Sequence, residues 1–551
     1  MKVIKTNFLL FIIPVLFISV AVAFATQMYP IYANTPFYGQ DPAYQYLFAG
    51  VDILLGNAPA HNDHPGTPLQ LLIAITIAVV WFVRHTLGVI GQEMFVDVLA
   101  EPELYLMSVS ALVVLLNSIA IFFIGLRVFK VTGRYLSAAL CQLAPLVFVL
   151  SLPNVLYPSP ESLLWCISLC LLCVLVPALL GDSPKQNIVN KKMAVSAGVF
   201  CGIGLAVKVT FLPLVGLLLI LRSSRLILIA IAVMSASWFI GVLPIYSRLG
   251  SMFGWLHKVI NHSGLHGAGQ DAVFNVGEFI GNFSYVRSMY PLLETAVWMM
   301  VIVSLWGFIK YQILVKKIKF DTEIEDQTIA KKINNHSWLT AFVLSLVVIG
   351  QAIMVAKHPG PTYMIPVLPI TVVAFAWLLD TQKFLQAPRL VKQLLHLSVF
   401  VFFAYQAVTS SVSAYQAIKT HHTNGTQSNL IIKDAIHKYK FPILIGTFNC
   451  TLPQCALWFG QLMTPEVELK MDHVTTDFYH YDIFAKNLHV PGQGALTKED
   501  TSKVINELII AGRTVLLISP PYDQLVNFNV EKLVSTPVQI LYLVKGYKNP
   551  Q

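Results

Sequence analysis

Long apolar runs separated by short polar loops fill the chain up to about residue 411, where the pattern changes. About 20 apolar residues suffice to cross a bilayer. Such runs are read at roughly 7–25, 105–126, 135–152, 161–180, 193–208, 209–222, 226–246, 291–309, 337–356, 364–380 and 394–411. Several are short, and 209–222 is the weakest. The run 67–83 (TPLQLLIAITIAVVWFV) is apolar as well and competes for a place in this set. Beyond 411, β-rich runs alternate with helix-like ones: Phe441–Thr447, Thr514–Ser519 and Val538–Val544 are strand candidates. Asp500–Ala511 has helical periodicity after an acidic start. The pattern predicts an α-helical polytopic membrane protein with about 11 transmembrane helices in residues 1–411, followed by a small C-terminal α/β soluble domain in residues 412–551.

Charge gives the spans a direction. Basic residues favour the cytoplasmic side of short loops. Lys2 and Lys5 place the N-terminus inside, and the loop of Arg127, Lys130 and Arg134 must also be inside. Only 105–126 precedes that loop directly, so residues 26–104 start and end outside and 67–83 makes no net crossing. It reads as a helix lying in or re-entering the outer interface. Continued alternation puts Lys185, Lys191, Lys192, Arg222, Arg225, the stretch Lys310 to Lys332, and Lys383, Arg389 and Lys392 inside. Few basic residues then face outward before the C-terminal domain: Lys208, Arg248, Lys258, Arg287 and Lys357. Residues 1–25 also fit a signal peptide ending near Ala23-Phe24-Ala25, and its removal would leave the later orientation unchanged.

Composition agrees. Charged residues make up 12% of the chain and apolar ones 56%, against about a quarter charged in soluble domains. The net charge of +9 comes from topology, so nucleic acid is excluded as a partner and membrane lipids are implied. Cys141, Cys166, Cys170, Cys173 and Cys201 lie in apolar segments and act as small hydrophobes. Cys450 and Cys455 lie in the polar C-terminal region, where an oxidising compartment would make a disulfide the default.

The first outer loop carries the densest candidate chemistry. It lacks Lys and Arg yet holds three Asp and two His in YGQDPAYQYLFAGVDILLGNAPAHNDHPGTPLQ, among them Asp41, Tyr44, Asp52, Asp63 and His64. Helix capping is the plainer role for Asp41 and Asp63, since both precede apolar helical patterns. Other outward ionisable residues join them: Glu161 after Tyr157-Pro158-Ser159-Pro160, Lys208 at the end of GIGLAVK, and Lys357 and His358 before PGPTYMIPVLP. Charge near hydrocarbon depth is costly and points to function, with snorkelling the alternative for a lone Lys. Together the set suits transfer of a phosphate-linked group: Lys208 and Lys357 would hold a lipid phosphate, and a carboxylate would deprotonate the acceptor.

At these residues the chain resembles the GT-C-fold glycosyltransferases, especially the branch of protein O-mannosyltransferases and aminoarabinose lipid A transferases. The matching places are Asp41-Pro42-Ala43-Tyr44, His64-Pro65-Gly66-Thr67-Pro68-Leu69, Pro160-Glu161, Gly204-Leu205-Ala206-Val207-Lys208, and the later Tyr363-Met364-Ile365-Pro366-Val367-Leu368-Pro369. The resemblance spans roughly residues 1–380. It implies a sugar donor on a polyprenyl phosphate, inversion at the anomeric carbon, Asp41 as catalytic base and Lys208 near the donor phosphate, with Lys357 and His358 on the phosphate side. Tyr44, Asp63, His64, Glu161 and Tyr363 complete the candidate site. Two departures stand out. Pro42 replaces a second acid that often follows the first, and Gly66-Thr67 interrupts the usual Pro-Pro. Two adjacent carboxylates would hold a divalent ion better than Asp41 alone, so the sequence fixes no cofactor and leaves a divalent metal open.

The expected function is a glycosyltransferase (hexosyl- or pentosyltransferase) acting at the outer face of a multi-pass membrane, in a bacterial inner membrane by the style of its loops. The acceptor is a lipid, a glycan or a protein. A transporter or flippase of lipid-linked sugars would show repeats and broken helices at the midplane, whereas no repeat is found and the polar residues collect at the outer surface. An O-antigen polymerase or ligase would carry a large outer loop between late spans.

Overall fold

The computed structural model describes residues 8–34, 42–63, 66–181, 189–263, 270–273, 275–320, 337–380, 388–447, 450–461, 478–483, 486–491, 494–521, 525 and 527–548. The helices follow in chain order. The first are α1 (Ile12–Met28), a 3-10 turn (Ile31–Asn34), α2 (Ala43–Leu54), α3 (Thr67–Thr86), α4 (Met94–Ala100) and α5 (Pro102–Thr132). Next come α6 (Tyr135–Gln142), α7 (Ser151–Leu156), α8 (Pro160–Leu180), α9 (Lys191–Val207) and a 3-10 helix (Val209–Leu221). Then follow α10 (Ser224–Gly241), α11 (Leu249–Asn261), α12 (Val276–Met289), α13 (Pro291–Phe320) and α14 (Ser337–Lys357). A second 3-10 helix (Pro361–Val367), α15 (Leu368–Asp380) and α16 (Arg389–Ile436) complete the bundle. It is the helical core of an integral multi-pass membrane protein.

Side-chain contacts fix how the helices run. Asn117 of α5 donates to the Ser162 carbonyl at 3.1 Å, Cys166 reaches the Leu116 carbonyl and Cys173 the Phe123 carbonyl, so α5 and α8 are parallel. These thiols serve as weak donors within the helix packing. Gly198 and Gly202 lie against the Ala230 and Met234 carbonyls, so close that a Cβ at either would sit 2.4 Å from the oxygen. Helices α9 and α10 are therefore parallel, packed through the small-residue spacing typical of membrane helices. The chain returns between them through Val209–Leu221, the weakest predicted span. As a 3-10 helix, 13 residues cover about 26 Å, where an α-helix would cover about 20 Å. That explains how so short a run crosses.

Nine helices among the described residues are long and apolar enough to span a membrane, Thr67–Thr86 included. Yet both ends of α3 meet the same end of the bundle. At its start, the Gly66 amide donates to the Val207 carbonyl, where α9 finishes. At its far end, Arg84 pairs with Asp97 at 3.0 Å, and Asp97 also accepts from Tyr105 in the first turn of α5. The α3 helix thus lies across one end of the bundle without a net crossing. The shorter pieces α6–α7, α9 and Val209–Leu221 correspond to the predicted spans 135–152, 193–208 and 209–222 and fall below the length of the nine.

Helix α16 is 48 residues long. At about 1.5 Å per residue it is about 72 Å long, more than twice the about 30 Å of a bilayer's hydrocarbon core, and the helix runs through the boundary drawn at 411/412. Its far half carries the C-terminal domain, with β1 (Ile443–Thr447), α17 (Pro453–Gln461), β2 (Phe478–Asp482), β3 (Asn487–Val490), β4 (Gly494–Ala495), α18 (Lys498–Ile510), β5 (Val515–Ser519), β6 (Phe528–Ser535) and β7 (Ile540–Tyr547). The seven strands form one sheet in the order β4-β3-β2-β1-β5-β7-β6. Strand β1 is parallel to β2 and β5, and the other pairs are antiparallel. Side chains alternate faces along a strand. Val515 and Leu517 pack with Ile505 of α18, whereas Leu516 and Ile518 join Cys455 and Trp458 in a core continuous with the membrane helices. The soluble domain is therefore seated on the bundle.

Candidate functional site

The site grows from helix ends that meet at the same end of the bundle as α3. Helix α8 opens at Ser159-Pro160-Glu161, with Pro at a position that has no amide to lose. Helix α9 stops at Lys208, whose extended backbone (φ −161°) turns the chain into the 3-10 helix and makes Lys208 its N-cap. Lys208 Nζ and Glu161 Oε1 lie 2.6 Å apart, and their side chains are only 6% and 8% exposed. The ammonium also sits 4.5 Å from the centre of the Tyr363 ring. Tyr363 is held in place as its carbonyl accepts from Gln351 at 2.6 Å.

The loop before α3 closes over this pair. Gly66 is its hinge: φ is +66°, and a Cβ there would stand 2.7 Å from the Tyr46 hydroxyl. A proline or any side chain in its place would be strained and would collide, which accounts for the departure from Pro-Pro. The N-cap of α3 is Gly66 and that of α2 is Pro42, each without a side-chain cap. Asp63 is thus not a helix cap, and it lies half-buried in the loop. The loop also brings in His61, a residue the motifs did not single out. Its ring packs edge-on against Tyr46 at 4.9 Å. Burial, and then the charge of Lys208, push its pKa down to about 4, so it is neutral at physiological pH.

Unmet polar atoms collect here. Among the described residues, His61 Nδ1, Ser159 Oγ and Thr210 Oγ1 are buried and have no hydrogen-bond partner. The starts of α3, α8 and the 3-10 helix lie beside the Lys208–Glu161 pair, and the positive ends of helix dipoles attract anions. The buried Lys208–Glu161 pair thus stands at the starts of α3, α8 and the 3-10 helix, beside the unmet atoms of His61, Ser159 and Thr210.

Other candidates fall elsewhere or outside the described residues. Asp41 and His64 lie outside them. Tyr44 is buried in α2, three residues after Asp41, and its hydroxyl donates to Glu103 Oε1 at 2.6 Å. Burial, then the Glu103 carboxylate, raise its pKa well above the ordinary tyrosine value. Asp52 is buried in the same helix. Lys357 Nζ hydrogen-bonds the Ile260 carbonyl and His358 Nε2 meets the Val259 carbonyl at 3.0 Å, so both reach the last turn of α11. Among the described residues no three His, Cys, Asp or Glu side chains gather as metal ligands. Cys450 and Cys455 form a disulfide at the start of α17.

Beside Tyr363, Met364 forms one wall of an apolar cavity of about 310 Å³. Phe283, Val286, Leu293, Val297 and Ala352 line it, and Arg287 and Glu294 stand at its polar rim.

No family model and no curated protein matches the chain. Among solved structures it is similar to ArnT from Cupriavidus metallidurans bound to undecaprenyl phosphate, with 13% identity, a TM-score of 0.50, and coverage of 98% of this chain and 99% of that one. ArnT from the same organism in the apo state matches at 12% identity and a TM-score of 0.50, over 96% and 97%. The shared architecture covers nearly the full length, and the GT-C fold expected from the motifs is the fold of this protein.

Proposed function

We propose that this protein transfers a sugar from a polyprenyl-phosphate donor to an acceptor at the outer face of the membrane, with inversion and with Asp41 as general base. The observation that carries the reading is the buried Lys208–Glu161 pair at the meeting of three helix N-termini. The donor phosphate would take the place offered there, held by Lys208 as a point charge and by the free amides. The cavity whose wall includes Met364, the residue after Tyr363, would take a prenyl tail running away from the phosphate. Lys357 and His358, engaged with the end of α11, would shape the rim of the donor site. The likeness to a protein whose structure holds undecaprenyl phosphate supports the same donor class.

The chemistry is a single displacement. The Asp41 carboxylate accepts the proton of the acceptor's nucleophile, which attacks the anomeric carbon opposite the phosphate. The bond from that carbon to the phosphate oxygen breaks, and polyprenyl phosphate leaves with its new charge stabilised by Lys208 and the helix starts. Asp63 and His64 belong to the acceptor side of this arrangement. Polar side chains gathered at one end of the bundle, with no repeat about the midplane, favour this over a transporter.

The test is transfer of label from radiolabelled polyprenyl-phosphate sugars in membranes containing the protein. Asp41→Asn should lower transfer by about two orders of magnitude or more. Unchanged transfer would remove Asp41 from the mechanism.

A further inference from the structure

In the C-terminal domain, strands β2 and β3 pair antiparallel with His480 directly opposite His489. Residues opposed in this way share one face of the sheet, and Trp458 of α17 packs against both rings. The ring centres are 5.9 Å apart for His480 and His489, 6.2 Å for Trp458 and His480, and 6.0 Å for Trp458 and His489. Three rings on three elements thus form a nearly equilateral triangle.

His480 is fully buried, and among the described residues neither of its ring nitrogens has a hydrogen-bond partner. The Trp458 indole nitrogen beside it is buried and unmet as well. A neutral imidazole carries one donor and one acceptor, and burying both without partners is costly. The next residue of β2, Tyr481, belongs to the other face, and its hydroxyl meets that of Tyr547 at 3.1 Å. Polar groups of the same strand are therefore satisfied on one face and left open on the other. The open face is also held firmly. The Cys450–Cys455 disulfide ties down the start of α17. Gly446 of β1 lets that helix close on the sheet, since a Cβ there would stand 2.4 Å from both Cys455 Sγ and the Phe478 ring.

We propose that His480 and His489 together bind one divalent transition-metal ion of the Zn2+, Ni2+ or Cu2+ class. Imidazole suits these ions, whereas Ca2+ and Mg2+ take oxygen ligands. A metal lies about 2.0–2.1 Å from an imidazole nitrogen, so two rings sharing one ion have centres about 5–6 Å apart. Burial, and then the charge of His489, push the His480 pKa down to about 3, and burial lowers that of His489 against the pull of Asp482. Both rings are neutral at pH 7 and keep a lone pair for the ion. Among the described residues no third His, Cys, Asp or Glu joins them, so water completes the coordination. His489 is only half-buried and gives the ion its way in. Asp482 stands near His489, as carboxylates commonly do beside metal-bound histidines. The site draws on none of the residues that carry the sugar-transfer reading.

The experiment titrates Cu2+ into the full chain in nanodiscs, purified without a polyhistidine tag and stripped of metal with a chelator. The first equivalent should bind saturably, and its electron paramagnetic resonance should show two imidazole nitrogens. His489→Phe, at a half-buried position, should weaken that binding more than about tenfold, since loss of even an outer partner of a metal site costs about 10–100-fold. His480→Phe should do the same. Trp458→Phe should remove the fluorescence quenching that saturates with the first equivalent, because the ion lies beside that indole. Absence of saturable binding overturns the proposal, as does a first equivalent with fewer than two nitrogen ligands. Folded His489→Phe protein that binds like the parent, or quenching that persists in Trp458→Phe, also overturns it. If His480→Phe does not fold, the resonance spectrum and His489→Phe decide.

Discussion

Two buried carboxylates sit at opposite ends of the helical bundle, each beside a cation, and they are satisfied very differently. Asp380 ends α15. Its Oδ1 pairs with Arg134, accepts from Ser137 at 3.2 Å and lies 3.3 Å from His396 Nε2. His396 is held in turn by the Lys392 carbonyl at 2.7 Å. The cluster ties the starts of α6 and α16 to the end of α15 and leaves one carboxylate oxygen over. At the other end, Glu161 meets Lys208, while His61, Ser159 and Thr210 keep buried polar atoms without partners around the pair. Desolvated polar groups are costly unless paired. In the crowded cluster the fold repays most of that cost, and on the proposed function a ligand repays it at the sparse one. Burial of an ion pair alone says little about function; the polar capacity left around it says more.

The largest effect should come from Lys208. Lys208→Met removes the buried cation at nearly constant volume, and transfer should fall by about 1,000-fold. It also strands Glu161, and breaking a buried pair costs about 3–5 kcal/mol of stability. Adding Glu161→Gln should restore thermal stability without restoring transfer. Recovery of both in the double variant would mean that the pair is structural, as at Asp380.

Next comes the mirror experiment. Asp380→Ala should cost about 3–5 kcal/mol, read as a lower unfolding temperature, while kcat per folded molecule stays within about twofold. A loss of kcat at unchanged stability would erase the distinction between the two ends.

Much of this contrast could be anticipated from the chain alone, and some could not. The spans were legible because hydrocarbon enforces long apolar runs and because Lys and Arg mark one side of them. The basic loop at Arg127 to Arg134 also implied that 67–83 makes no net crossing, in keeping with both ends of α3 meeting one end of the bundle. The 3-10 form of Val209–Leu221 was not legible, since backbone pitch leaves no mark in hydropathy. Phe441–Thr447, Thr514–Ser519 and Val538–Val544 were visible strands because they are apolar. Phe478–Asp482, Asn487–Val490 and the edge strand Phe528–Ser535 were missed because polar and charged residues interrupt their apolar pattern. Glu161, Lys208 and Tyr363 were found by motif and do meet. Glu103 was missed as the partner of Tyr44 because an acid after Pro102 looks like an ordinary first-turn residue, and only the fold brings the two together. The paired His61 and His64 were a signal, but the sequence did not say which ring faces Lys208.

A smaller effect tests how far the Lys208 site extends. Ala352→Trp would fill the cavity beside Met364. Overpacking of this kind costs about 1–3 kcal/mol in a packed core, but the cavity has room, so the fold should hold. The donor KM should rise about tenfold, and short-chain donors should be affected less than long-chain ones, as each buried methylene contributes about 0.8 kcal/mol. Equal KM values for all chain lengths would separate the cavity from the donor site.

The smallest effect is a pH dependence of stability, and it separates a histidine that the donor can reach from one that it cannot. Burial and Lys208 lower the His61 pKa to about 4, and burial followed by the charge of His489 lowers that of His480 in β2 to about 3. An unfolded histidine titrates near 6.5. Below that pH the unfolded chain binds protons that the folded chain refuses, so stability falls as pH drops from about 6.5 toward 4 and is unaffected by these groups above about 7. The unfolding temperature should decline by a few degrees between pH 7 and pH 5, and His480→Phe should flatten that decline, since neither ring nitrogen of His480 has a partner among the described residues. A polyprenyl phosphate should change the His61 contribution, because the anion offsets Lys208 and favours the protonated ring, and should leave the His480 contribution as it was. If the lipid alters the slope equally in the His61→Gln protein, then His61 does not face the anion site, and the unmet atoms around Lys208 are a packing accident.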